Sequence, residues 1–467
     1  MSKNDLTKET KPTKIATLMF ALLVAIFAFQ LNSSMLTPAL VQMQNELNTT
    51  AVEIGNTQTV FFTACALFSL FLPRLADTLG RRKVLTSMLC VTAIGCIVSA
   101  ISSDVTMLLV GRVLQGVAGP IVPMCLIMLH QEVTEEKRYA KLMAILTSVN
   151  GGIAGVDALL GGWLASTFGF RSVFITMAIV AALAVVLVYL FCKESKSETK
   201  EKIDVVGMIT LGIAFLATYL AINELQQTSI QFSYLIVLVI VAIIFFILFW
   251  QVEKRKDQPM VSTKYLRQRR TWALLSTTLL TMMGVFAIMN GVVPALAQDS
   301  ALGINLGADV VSFATLTPYA IIGLCFGPVA GVLASKFGFH KVLRGGLVVS
   351  ICGVLFGVYL ANNPSIPSTV AISVILGFSY AGTANIMLNG LGIILSPKDN
   401  EGYLPGMNAG AFNLGAGLSY AVLYTIMNSF TLSNGAATGY ASAMIGGAVL
   451  LIGALLMSFV IPKNVEE

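Results

Sequence analysis

Two side chains able to carry charge stand where nearly everything else is hydrocarbon. Arg112 lies in LLVGRVLQGVAGP and Asp157 in VNGGIAGVDALLGGWLAS. A guanidinium inside an apolar segment costs about 2.5–3.5 kcal/mol on insertion scales, so it must face a partner or a water-filled cavity. A carboxyl group there is pulled two ways. Burial favours its neutral form and a nearby cation its charged form, so it can exchange a proton at ordinary pH. Arg112 lies roughly six residues, and Asp157 roughly nine, from the same-side ends of their segments, which at ~1.5 Å per residue agrees within one helical turn. The expectation is that the two pair, or compete for one pocket, and that solute binding is linked to proton binding. Further polar residues interrupt apolar stretches: Gln30, Ser33 and Ser34 on one helix face, Gln115 one turn after Arg112, Asn150 about two turns before Asp157, Asn290, and Asn385 with Asn389 at i, i+4. They are the predicted lining of a substrate cavity.

The elements that must position these groups are membrane spans. Hydrophobic residues make up 56% of the 467 and charged residues 11%, too little charge to cover a soluble surface of this size. The apolar residues come in blocks such as LMFALLVAIFAF, VFITMAIVAALAVVLVYLF and FSYLIVLVIVAIIFFILFW. With their flanks, these are long enough to cross a hydrocarbon core of about 30 Å as helices. Blocks and breaks predict fourteen spans. The first block follows Lys3, Lys8, Lys11 and Lys14 and reads as a retained span. Every one of the 29 Lys and Arg except Arg112 and Arg171 falls in the tails or in the even-numbered loops. That asymmetry predicts a multi-pass protein of the cell membrane with both termini cytoplasmic. The net charge of +6 is then a sidedness label and gives no reason to invoke nucleic acid. Seven cysteines without a CxxC pair read as free packing residues.

A short charged stretch occurs twice. RLADTLGRRKVL begins at Arg74 and VLASKFGFHKVL at Val332, and six of the twelve aligned positions are identical. The first joins spans 2 and 3, the second spans 10 and 11. An offset of eight spans arises from two six-helix bundles with two extra spans between them. Duplicated bundles are a common transporter plan, with the solute site at the interface.

The first copy resembles the cytoplasmic loop signature GxLADRxGRRxxL of the major facilitator superfamily, matching at Leu75, Ala76, Asp77, Gly80, Arg81, Arg82 and Leu85. The second keeps Gly331, Gly338 and Lys341 but has Ser335 where the first has Asp77. The resemblance implies a conformational latch at Asp77, Gly80, Arg81, Arg82, Gly331, Gly338 and Lys341, with Asp77 facing cations across the bundle interface. Arg112, Gln115, Gly116 and Gly119 are similar to that family's RxxQGxG motif and share one helix face. The extra span pair and KDQPMVSTKYLRQRRTW resemble the fourteen-helix drug:proton antiporter branch. Where that branch has a Gly-Pro element in span 5, this chain has Asp157-Ala158. Where it has an acidic residue in span 1, this chain has Asn32, which cannot carry a proton and joins the predicted cavity lining. Asp157 is the substitute proton carrier this implies.

The predicted architecture is all-α: a cytoplasmic tail over 1–14, a six-helix bundle over 15–192, a linker over 193–204, two additional helices over 205–251, a loop over 252–271, a second bundle over 272–462 and a tail over 463–467. The function expected is proton-coupled efflux of drugs or metabolites by alternating access. The alternative is a proton-coupled uptake symporter or uniporter; a transport-dead sensor or scaffold is a third reading. No phosphate-binding loop of the GxxxxGK[ST] type and no metal-ligand cluster stand in the sequence, so neither an enzyme nor a cofactor is expected, and the proton gradient is the energy source. The partners expected are a small-molecule substrate, protons and lipid, and the protein is expected to act as a monomer.

Overall fold

The computed structural model describes residues 12–133, 135–195, 204–225, 230–256, 259, 261–397 and 403–462, with the side chains of 12–14, 136, 137, 140, 144 and 147–154 outside the description. Most of the predicted N-tail, the middle of the 193–204 linker and the predicted C-tail therefore lie outside the described residues. Twelve helical segments among the described residues are long and apolar enough to cross a membrane. In chain order they are α1 (Ile15–Glu46), α2 (Ala51–Leu79), α3 (Arg81–Ala100), α4 (Val105–Glu132), α6 (Phe170–Phe191), α7 (Val205–Leu225), α8 (Phe232–Lys254), α9 (Arg269–Gln298), α10 (Ala308–Phe337), α11 (Phe339–Asn362), α12 (Ile366–Ile394) and α14 (Ala436–Ser458). Two more helices, α5 (Glu136–Phe168) and α13 (Tyr403–Asn434), have 33 and 32 residues, ample for a span at ~1.5 Å per residue. The predicted loop over 252–271 is shorter than expected, because α8 runs on to Lys254, α9 starts at Arg269, and Thr263–Leu266 forms a helical turn between them.

Local chemistry sets the ends. Thr50 and Glu53 form a reciprocal capping box at the start of α2, and Asp104 and Ser365 accept N-terminal backbone N–H groups of α4 and α12. Four helix pairs are joined through a single glycine at positive φ: Gly80 between α2 and α3, Gly169 between α5 and α6, Gly338 between α10 and α11, Gly435 between α13 and α14. A side chain at such a φ is strained, so glycine lets two spans meet in a one-residue turn. The turns recur with an offset of eight helices, which extends the duplication visible at Gly80 and Gly338 to a pair of turns whose flanking sequences share nothing.

Helices α1–α6 pack mainly among themselves and α9–α14 do the same. The two sets meet along α2 against α13 and along α5 against α10. The pair α7–α8 packs on itself and touches α2. Among the described residues it meets the body through a small separate cluster, in which Leu211 and Phe249, with Val261 of the following loop, pack against Leu67, Leu70, Phe71 and Met407, and through a 3.4 Å hydrogen bond from Asn56 to Asn223. Large apolar side chains such as Ile236, Ile240, Ile243 and Ile247 are exposed along α8, as a lipid-facing surface requires. The end of the molecule carrying Gly80 and Gly338 also carries Arg81, Arg82, Lys193, Lys256, Arg269 and Lys341, and is called the basic end below.

Candidate functional site

Arg112 has 0% exposure and Asp157 2%, so both are buried as predicted. They are not paired. The guanidinium donates to Gln115 Oε1 at 2.7 Å, Gln58 Oε1 at 2.8 Å, Asn32 O at 3.2 Å and Thr57 O at 3.3 Å, and lies 4.0 Å from the ring centre of Phe61. Every acceptor is neutral. Gln115 passes the network on to α3 through Gly95 O at 3.1 Å and Ser99 Oγ at 2.8 Å. One cation thus ties α1, α2, α3 and α4 together. Charge-assisted bonds of this kind are worth about 1.5–3 kcal/mol each, enough to offset the insertion cost without a carboxylate.

Asp157 looks the other way. Its Oδ2 accepts from Ser34 Oγ at 2.5 Å, and Gln30 Nε2 donates to Ser34 Oγ at 3.0 Å. Its Oδ1 is buried with no hydrogen-bond partner among the described residues. The expected ion pair fails for a rotational reason. Asn32 and Ser34 are two residues apart on α1, about 200° around the helix. The Asn32 carbonyl meets Arg112 of α4, while Ser34 meets Asp157 of α5. The depth was read correctly and the azimuth was not.

Asp157 also sits on the seam between the two helix sets. The carbonyls of Gly155 and Ala158 accept from Thr317 Oγ1 and Ser312 Oγ of α10, each at 3.1 Å. A buried carboxyl group with an open lone pair therefore lies between two bonds that must break if α5 and α10 part. Aromatic rings bridge the two helix sets along the other line of contact, where α2 meets α13. Phe61 and Phe62 of α2 are followed by Phe286 of α9, with ring centres 4.9 Å apart at each step, and Phe286 lies 6.2 Å from both Phe412 and Tyr420 of α13. Phe286 and Phe412 are half-buried, offering ring surface for stacking.

The remaining predicted lining residues separate into groups. Gln30 and Ser34 reach the seam, and Ser33 is half-buried beside them. Asn32 is turned inward, accepting from Cys96 Sγ at 3.3 Å and donating to Ala28 O at 2.7 Å. It and Gln115 have 0% exposure and act within the first helix set, not on a cavity wall. Asn290 lies in a π-helical segment over Ile288–Val292, where its carbonyl accepts from Tyr420 Oη at 2.6 Å. Asn385 and Asn389 join an amide chain at 3.1 Å that continues to Asn408 at 3.4 Å and Thr278 at 2.6 Å. The side chain of Asn150 lies outside the described residues. Gln58, Phe286, Asn408, Phe412 and Tyr420 were missed by sequence reasoning. The tyrosine pair in LSYAVLYT, at i, i+4 in an apolar block, was the available signal.

The latch differs from expectation too. Asp77 bonds Arg81 four residues on, at 2.6 Å, instead of reaching across the interface. The Gly80 turn brings Arg81 back over Asp77. Arg81 N donates to Ser195 O at 2.9 Å and Arg82 N to Glu194 Oε1 at 3.1 Å, so the turn is fastened to the end of α6. In the second copy His340 and Arg344 reach Pro462 O and Ser458 O, at 2.9 and 3.2 Å, beyond α14 and at its end. Lys341 is exposed, and a β carbon at Gly331 would meet open space.

Known proteins resemble this chain in sequence and in fold. Over 456 residues the chain is 58% identical to the uridine/deoxyuridine transporter of Lactococcus lactis subsp. cremoris, covering 96% of this chain and 95% of that protein. It is 26% identical over 440 residues to the quinolone resistance protein NorB of Staphylococcus aureus, covering 90% of each. Among solved structures, a POT family transporter in complex with 5-aminolevulinic acid superposes with a TM-score of 0.69 at 16% identity, covering 97% of each chain. A D-xylose-proton symporter does so with a TM-score of 0.67 at 14% identity, covering 96% of this chain and 98% of that one. These two structures speak to the fold. The relative at 58% is a nucleoside transporter, which weighs against the expected placement among drug antiporters. The model described as Major Facilitator Superfamily matches residues 22–420, and the chain belongs to that superfamily of membrane transporters.

Proposed function

We propose that this transporter carries uridine-type pyrimidine nucleosides into the cell, coupled to protons. The observation that carries the reading is the 58% identity to the Lactococcus uridine/deoxyuridine transporter over almost the full length of both chains. It favours uptake of a small organic solute, the alternative reading, over efflux. The chemistry of the seam suits such a solute. A nucleoside is neutral, with a flat ring and a rim of hydrogen-bonding groups. It needs aromatic faces and amides, not a fixed countercharge. Phe286 and Phe412 supply faces, and Gln30, Ser33, Ser34, Asn290, Asn385 and Asn389 supply donors and acceptors.

In this reading α1–α6 and α9–α14 are the two moving bundles, all fourteen helices span the cell membrane, and the basic end is cytoplasmic. Asp157 takes up the coupling proton on its open oxygen. Arg112 holds the frame of the first bundle and takes no proton. Protonation removes a charge from the seam and lets Ser312 and Thr317 of α10 re-form their bonds to α5, so solute and proton bias the same rearrangement. The protein works as a monomer. Radiolabelled uridine uptake in cells lacking other nucleoside carriers tests the proposal. Uptake should rise at acidic external pH, collapse with a protonophore and be competed by deoxyuridine. Absence of nucleoside uptake together with drug resistance on expression would reverse it in favour of efflux.

A further inference from the structure

The α7–α8 hairpin carries its own pair of buried acids, far along the chain from Asp157. Asp204 precedes α7 and is 5% exposed; Glu253 is in the last turn of α8 and is 1% exposed. One oxygen of each is fully engaged. Asp204 Oδ1 accepts from Gly207 N at 2.6 Å and pairs with Lys256. Glu253 Oε2 accepts from Val261 N at 2.6 Å. The other two, Asp204 Oδ2 and Glu253 Oε1, are buried without a partner among the described residues. Both stand against the same spot on α7: a β carbon placed on Gly207 would lie 2.5 Å from the first and 2.7 Å from the second. Only a glycine leaves room for the oxygens to face each other.

We propose that Asp204 and Glu253 bind one proton between these two oxygens, and that this proton fastens the α7–α8 hairpin to the basic end. Two bare carboxylates buried side by side repel and have no water to replace the missing bonds. A single shared proton satisfies both orphaned oxygens at once. Lys256 balances the remaining negative charge. The groups facing the pair from the neighbouring helices are Arg74 of α2 and Tyr403 of α13, with Tyr265 beside Tyr403. Tyr403 Oη donates to Ser262 O at 3.1 Å, next to the Val261 N–H that Glu253 holds. The pair therefore lies within electrostatic reach of both helix sets at the basic end.

Asp204 lies outside the span and is the ionised member. Burial alone would raise its carboxyl, but the bonds from Glu253, Lys256 and Gly207 N–H and the Lys256 charge outweigh burial and hold it below the usual carboxylate range. A depressed carboxyl contributes stability that is present above its unfolded value and is lost as pH falls through the folded one. Base removes the shared proton. The fastening is thus bounded on both sides, which makes the hairpin a pH-sensitive strap.

Trp250 lies one turn before Glu253, with Arg267 5.8 Å from its ring centre. With Trp163 and Trp272 replaced by Phe, its fluorescence in the purified full-length protein should show a transition as pH rises and the shared proton is lost. Glu253→Gln, which mimics the protonated acid, should abolish that transition. Asp204→Asn should move it to lower pH by about one unit by removing the second negative charge. Glu224→Gln, at the opposite end of the same hairpin, should leave it in place. An unchanged transition in Glu253→Gln overturns the proposal; if that variant misfolds, an unmoved transition in Asp204→Asn does so. No transport is measured, so the outcome is separate from the nucleoside reading.

Discussion

Arg112 and Asp157 are both almost fully buried, and a single helix, α1, lies against both. Every guanidinium nitrogen of one donates to a neutral oxygen; among the described residues the side chain of the other accepts from Ser34 and leaves one oxygen bare. A saturated buried charge has nothing left to exchange and can only hold structure. A half-satisfied one keeps a free site, and here that site lies on the seam between the two helix sets. Degree of burial does not distinguish the two side chains; the count of partners does.

The strongest way to break this contrast is Arg112→Ala. It strips donors from Gln58, Gln115 and two backbone carbonyls, each loss costing about 1–3 kcal/mol. The variant is expected to lose its monodisperse peak in detergent size-exclusion chromatography, and a folded, transporting product would refute the structural role. Gly119→Val tests the frame from the other side. A β carbon there would lie 2.4 Å from Cys65 O of α2, so α2 and α4 must separate at a cost of about 2–3 kcal/mol. The thermal midpoint in detergent should fall accordingly. Asp157→Asn should keep the midpoint, with a change under about 1 kcal/mol, yet lower uptake at acidic external pH about tenfold and flatten its pH dependence. If pH dependence persists, the proton binds elsewhere. Ser34→Ala is the mildest case: uptake should fall about twofold, equivalent to ~0.4 kcal/mol, with folding unaffected. A larger loss than that of Asp157→Asn would make the hydroxyl, not the carboxyl, the functional partner.

Much of the fold was legible because membrane spans are written as long apolar blocks, and because the Gly80 turn kept its flanking residues in the second copy. The Gly169 and Gly435 turns were not, since a lone glycine beside unrelated neighbours carries no echo. At the site, burial and depth of Arg112 and Asp157 followed from apolar context. Their separation did not, because depth is one coordinate and rotation about the axis is another. Asn32 shows this most clearly: a cavity residue by position, it is turned into the bundle by two side-chain bonds. The aromatic crossing from Phe61 to Tyr420 was hidden for a different reason. Phenylalanine in a span is ordinary, and only the tertiary fold reveals which rings line up.

Among the described residues the α7–α8 hairpin meets the body through one minor apolar cluster and a hydrogen bond from Asn56 to Asn223, and it comprises two antiparallel helices. An even insertion preserves parity: every later helix keeps its original heading, and so does every charged turn. A twelve-helix ancestor could accept such a graft between its bundles in one step, with no intermediate in which the second bundle was upside down.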